Sequence, residues 1–157
     1  MYRVSCSHTY GESNHHLQFT PKYRRPVFTS RVIRMEARYW ASQKAKELKI
    51  QLVSCEFGPD HMHLFLAGCK NYSDAKLAQL FKGYISRMLR KRCWDILCRW
   101  LTGDSFWSDG YFHETVGSVT AEARKFYIER CQRKHWTDQE FVKLYRGQSR
   151  LTDYKVN

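Results

Sequence analysis

The stretch IQLVSCEFGPDHMHLFLA, from Ile50 to Ala67, sets the architecture of this chain. Ile50 to Phe57 is a β-compatible run, Gly58-Pro59-Asp60 is a turn signal, and His61 to Ala67 is a second short apolar run. Two such runs joined so tightly form an antiparallel hairpin. Alternate side chains of a strand share a face, so His61 and His63 point one way and Met62 the other. Two imidazoles on rigid backbone are a two-point ligand set for a divalent cation. An isolated His-x-His is more often one packed histidine and a chance neighbour, and only the rest of the chain favours the ligand reading. Glu56, on the adjacent strand, is a candidate extra ligand or a hydrogen-bonding support for one.

Upstream, His15 to Thr20 alternates as a strand, with Leu17 and Phe19 on one face. It leads into PKYRRP, residues 21–26, a rigid basic turn with an aromatic at its middle. Lys22, Tyr23, Arg24 and Arg25 combine the residue types that contact phosphates and stack on bases, although a solvated basic loop has the same composition. From Ser30 to Lys49, Ile33, Ala37, Trp40, Ala41, Ala45 and Leu48 recur at helical spacing. Downstream, Asn71 to Trp100 reads as one long helix or two shorter ones, capped by Ser73 and buried through Leu77, Leu80, Phe81, Ile85, Met88 and Leu89. Its outer face carries Lys76, Lys82, Arg87, Arg90, Lys91 and Arg92 and is expected to be the main nucleic-acid surface. An aromatic-rich segment from Phe106 ends in a β-like run before Gly117. A last helix starts at Ser118 or Thr120, holds Phe126-Tyr127-Ile128 and ends near His135-Trp136.

Residues 1–14 read as a loose polar lead-in, 15–136 as the folded domain and 137–157 as a polar tail. No repeat or linker divides the chain. The order β-α-β-β-α-β-α is the split βαβ arrangement of an α+β, ferredoxin-like (RRM-like) domain, an antiparallel sheet with helices packed on one face. That architecture serves binding modules and enzymes alike.

The 157 residues include 27 Lys and Arg against 15 Asp and Glu, a net charge of +12 and a pI near 9.6. A surplus of this size implies a polyanionic partner, since each Lys or Arg on a phosphate releases a counterion. The 6 cysteines include no Cys-x-x-Cys pair and no export leader is evident, so reduced thiols and a cytoplasmic location are expected. No apolar run approaches the roughly 20 residues that span a bilayer, so no membrane association is expected.

His15 to Phe28 (HHLQFTPKYRRPVF), Gly58 to Phe65 (GPDHMHLF), Phe81 to Gly83 (FKG), Trp107 to Phe112 (WSDGYF), Thr115 to Gly117 (TVG) and Tyr127 to Glu129 (YIE) resemble, in order, successive blocks of one family. It is that of the single-tyrosine HUH transposases of the insertion-sequence 200/605 (IS200-like) group, and the resemblance spans roughly residues 15–136. It implies homodimers that cut and rejoin single-stranded DNA bearing a hairpin near the element end. It assigns His61 and His63 to Mg²⁺ or Mn²⁺ and Tyr127 to nucleophilic attack that leaves a 5′-phosphotyrosine link, with no nucleotide cofactor. Each active site can combine one subunit's histidines with the other's tyrosine. Lys22, Tyr23, Arg24, Arg25, Lys82 and Arg87 are the expected DNA contacts.

One departure from the family pattern concerns the third metal ligand, a Gln four residues after the tyrosine. Here that position is Cys131, a soft donor poorly matched to Mg²⁺, and the Gln stands at 132. Successive helical residues turn by about 100°, so i+4 lies about 40° from the tyrosine and i+5 about 140°. Gln132 is the expected ligand, in a helix overwound, bulged or ending there. Glu56, Asp60 and His113 are alternatives. Two further readings are a domesticated relative processing repetitive palindromic DNA and a non-catalytic nucleic-acid-binding module.

Overall fold

The computed structural model describes residues 4–6, 9–11, 13–101, 103 and 105–116. The expected last helix, with Tyr127, Cys131 and Gln132, and the tail lie outside the described residues. Strands β1 (Val4–Cys6) and β2 (Thr9–Gly11) pair with each other, so the stretch read as a loose lead-in carries a short antiparallel ladder. Then follow β3 (Asn14–Phe19), two single 3-10 turns (Lys22–Arg24 and Val27–Thr29), α1 (Arg31–Glu47), β4 (Gln51–Gly58), β5 (His61–Ala67), α2 (Asp74–Leu97) and β6 (Phe112–Val116).

Local chemistry explains the boundaries. The Ser30 hydroxyl accepts from the Ile33 amide and the Ser73 hydroxyl from the Lys76 amide, each satisfying a donor left open at a helix start. Lys49 takes a left-handed conformation (φ 57°) that ends α1 and turns the chain into β4. The region after Asn71 forms one helix, with a local kink at Cys93.

The four long strands make one antiparallel sheet in the order β4-β5-β3-β6. This is the ferredoxin-like order, reached because each helix carries the chain over the sheet to a non-adjacent position. Strand parity then sorts the sheet into two faces. Leu17, Phe19, Cys55, Phe57, Met62, Leu64 and Leu66 join Ile33, Ala37 and Ala41 of α1 and Leu77, Phe81, Ile85 and Leu89 of α2 in one buried core. The opposite parity places Asn14, His16, Gln18, Ser54, Glu56, His61, His63, Phe65, Phe112 and Glu114 on the other face.

Some of the positive charge is structural. Arg34 Nη1 donates to the Phe28 and Thr29 carbonyls (2.6 and 3.0 Å), and Arg38 donates twice to the Cys55 carbonyl while lying over the Phe57 ring. Both arginines are buried and lock α1 to its neighbours. Trp40, expected in the core stripe, is only half-buried, its indole N–H donating to Glu36 at 2.8 Å. The Cys55 and Cys69 thiols are pushed up to about 12 by burial, so both remain protonated packing groups.

Candidate active site

His61 and His63 sit one residue apart on the inner strand β5, so both rings leave the sheet on the side away from α1 and α2. Both are buried, at 2% and 4% exposure, and their ring centroids are 5.0 Å apart with planes near perpendicular. Each ring uses Nδ1 for a protein contact: His61 with Asp60 Oδ1 at 2.9 Å, and His63 with His16 Nε2 at 2.9 Å. That engagement is the arrangement in which Nε2 serves as the ligating atom. Gly58, paired with His61 across the hairpin end, is what gives the His61 ring its room. A Cβ at Gly58 would collide with the Cε1, Nε2 and Nδ1 atoms of that ring.

Asp60 binds the site to the basic loop. Its Oδ2 accepts from Arg24 Nε at 2.8 Å while its Oδ1 meets His61. Burial, the largest single influence on this carboxyl, would raise its pKa. The hydrogen bonds and charges of His61 and Arg24 together outweigh it and hold the group below the ordinary carboxylate value. The loop is pinned by Lys22 N to Phe106 O (2.9 Å), and beyond it Phe28 N donates to Pro59 O (3.2 Å). Within it Tyr23 and Arg24 both take left-handed backbone (φ 60° and 51°), a conformation costing on the order of 1 kcal/mol or more per non-glycine residue. The result is a Tyr23 ring 74% exposed, with Lys22 Nζ 5.4 Å and the Arg25 guanidinium 5.0 Å from its centroid.

Of the expected DNA contacts, Arg24 is tied to the histidine pair through Asp60 and Lys22, Tyr23 and Arg25 share its loop, whereas Lys82 and Arg87 lie on α2. The Lys82 ammonium donates to the carbonyls of Ser108, Asp109 and Gly110 at 2.7, 3.3 and 3.1 Å, and burial lowers its pKa. It closes the turn before β6, a structural role in the chain by itself. Arg87 is exposed on α2, beside Tyr84. Since α2 packs on the far side of the sheet, its basic stripe cannot meet the same phosphate as His61 and His63. The expected nucleic-acid surface on α2 therefore lies on the side of the sheet opposite the histidine pair.

Among the alternative ligands, His113 is excluded by parity. It pairs with Leu17, lies on the helix-covered side, and approaches Asp74 Oδ2 at 3.3 Å. Glu56 is directly opposite His63 on the same face. Among the described residues, no group of three or more His, Cys, Asp or Glu side chains is placed to hold a metal ion. Two residues escaped the sequence reading. His16 contacts His63 from the neighbouring strand, and Phe112, 54% exposed, stands edge-on to His16 at 6.0 Å. Gln18 lies opposite both Phe112 and His63, so Phe112 is two strand spacings, about 10 Å, from His63.

The site thus combines a ferredoxin-like sheet, a paired-histidine face and a basic, aromatic loop joined to it through Asp60. The family model for IS200-like transposases matches residues 9–131, and the chain belongs to that family. Transposases for insertion sequence element IS200 from Salmonella typhimurium and Salmonella typhi are each 29% identical over 123 residues, covering 78% of this chain and 79% of theirs. Among solved structures, a candidate transposase from Deinococcus radiodurans matches with a TM-score of 0.62 and 23% identity, over 81% of this chain and 95% of its own. A REP-associated tyrosine transposase bound to a REP hairpin matches with a TM-score of 0.50 and 14% identity, over 82% and 73%. These two support the fold. Among the described residues no helix is long and apolar enough to cross a membrane.

Proposed function

We propose that the chain is a divalent-metal-dependent transposase that cuts and rejoins single-stranded DNA at hairpin-bearing element ends, with Tyr127 as nucleophile. The observation carrying this reading is the buried His61–His63 pair, each ring held through Nδ1, beside an exposed basic loop. The hairpin in the REP-associated relative supports the substrate class. His61 and His63 would hold the ion, with Gln132 as third ligand. Mg²⁺ and Mn²⁺ both favour oxygen donors, so beside the two imidazoles phosphate oxygens would supply the harder donors. When bound, the metal supplies Lewis-acid polarisation of the scissile phosphate and stabilises charge on the departing oxygen.

The chain's own groups do the rest. The Tyr127 phenolate oxygen attacks phosphorus, and its new O–P bond forms as the P–O3′ bond breaks, the 3′ oxygen taking up a proton. One phosphate ester replaces another, so the 5′-phosphotyrosine link can be reversed by a 3′-hydroxyl without a nucleotide cofactor. Lys22 and Arg25 meet the backbone, while Tyr23 and Phe112 offer faces to unpaired bases. The protein works as an isologous homodimer in the cytoplasm, with active sites that can be shared between subunits.

The test is covalent capture. Protein and Mn²⁺ are incubated with 3′-labelled single strands carrying the element-end hairpin, and a denaturing gel is expected to show a labelled protein band that is absent with Tyr127→Phe. A full set of hairpin ends and divalent ions yielding no adduct would leave a non-catalytic binding protein.

The loop makes a separate prediction. Tyr23→Ala is expected to weaken single-strand binding by about 1–3 kcal/mol, the range for one stacked base. Arg87→Ala, on the far side of the sheet, should leave cleavage unchanged. Fluorescence anisotropy with an unlabelled competitor, alongside the cleavage gel, checks both.

A further inference from the structure

We propose that His16, backed by Glu114, is the positioning residue for His63, fixing the tautomer and ring plane in which His63 Nε2 faces the metal. The inference rests on the reading of His61 and His63 as ligands. It goes beyond that reading by naming what makes the second of them competent.

The two histidines lie on neighbouring strands, 47 residues apart in sequence. Register puts Gln18 directly opposite His63, so His16 reaches it diagonally, one pleat along on the same face. Their rings stack at 5.1 Å with planes 29° apart, and His16 Nε2 is 2.9 Å from His63 Nδ1. Both are almost fully buried, so neither ring is free to turn out into water. Across β3–β6 the residue opposite His16 is Glu114, whose Oε2 is 3.5 Å from His16 Nδ1. That is an ion-pair distance without hydrogen-bond geometry, so Glu114 acts on His16 through its charge, and Phe112 stands edge-on to the His16 ring.

Proton placement follows in order along this row. An ionised carboxylate only accepts, so it favours the proton of neutral His16 on Nδ1. His16 Nε2 then carries a lone pair and must accept from His63 Nδ1–H. With its one proton on Nδ1, neutral His63 has its lone pair on Nε2, the form a metal requires. His61 reaches the same state by a shorter route, since Asp60 accepts from it directly. The two ligands are therefore braced unequally, one by a carboxylate and one by an imidazole that is itself braced.

The experiment compares wild type, His16→Leu and His16→Gln by two readouts. Leu fills space but cannot accept, whereas the Gln carbonyl oxygen can replace Nε2. In metal-free protein, ¹⁵N NMR of the imidazoles is expected to show His63 protonated on Nδ1 in wild type and His16→Gln, and a tautomer mixture in His16→Leu. Mn²⁺ affinity, followed by EPR of the free aqueous ion, should fall about 10- to 100-fold in His16→Leu and be largely restored in His16→Gln. Glu114→Gln, at the longer and half-exposed contact, should lower it less. His63 protonated on Nε2 in wild type, or equal losses in the Leu and Gln variants, would overturn the proposal. Failure of every protein to bind Mn²⁺, with the tautomers as expected, would refute the metal reading and leave the brace standing.

Discussion

His61→Ala and His63→Ala are each expected to lower strand cleavage by at least on the order of 10²-fold, the scale for losing one electrostatic contributor to a phosphoryl or acyl transition state. Binding of the same single strand should stay within a few-fold of wild type. The split follows from the geometry. Lys22, Tyr23 and Arg25, which supply the expected backbone and base contacts, sit in a loop held by the carbonyls of Pro21 and Phe106 rather than by the histidines. Asp60 keeps its bond from Arg24 when His61 is truncated. Cleavage on a gel and affinity by anisotropy, measured on the same preparation, decide the matter. If both variants lose binding as completely as cutting, the histidines are packing residues and the metal reading fails.

Gly58→Ala is expected to mimic His61→Ala in cleavage although it changes no chemical group. The φ of Gly58 is not among the positive values, so alanine suits the backbone; the obstacle is the His61 ring lying over the residue. Avoiding the new methyl swings the imidazole from Asp60 and from its place beside His63. Overpacking of this kind costs about 1–3 kcal/mol of stability. In the double variant Gly58→Ala/His61→Ala that cost should vanish, because the ring that clashes is gone, giving a strongly non-additive cycle. Urea unfolding of the four proteins measures the coupling. Simple additivity, or full cleavage by Gly58→Ala, would show that the ring does not occupy this space.

These expectations show why the single glycine before Pro59-Asp60 matters beyond its turn role. The hairpin was evident from composition, as was the shared direction of His61 and His63, because period-two alternation is a local property of any strand. Its second consequence, a ring packed on the glycine, needed coordinates. The same divide runs through the basic residues. Lys82 is expected to meet phosphate, yet like Arg34 and Arg38 it donates to main-chain carbonyls. Nothing in a lysine's neighbours along the chain reveals a turn 26 residues on whose carbonyls will accept its hydrogen bonds.

By itself the sequence determined the order of the elements from β3 to β6, the helix cap at Ser73, the paired histidines, the positive charge and the likeness to a transposase family. Each is encoded in short-range pattern: periodicity, turn residues, capping side chains, ordered motifs. Only the tertiary structure decided that α2's basic stripe lies behind the sheet, that His113 faces the helices, and that His16 rather than His15 reaches the site. Those outcomes depend on strand register and on which face the helices cover. Both are set by the burial of the whole core rather than by neighbours along the chain.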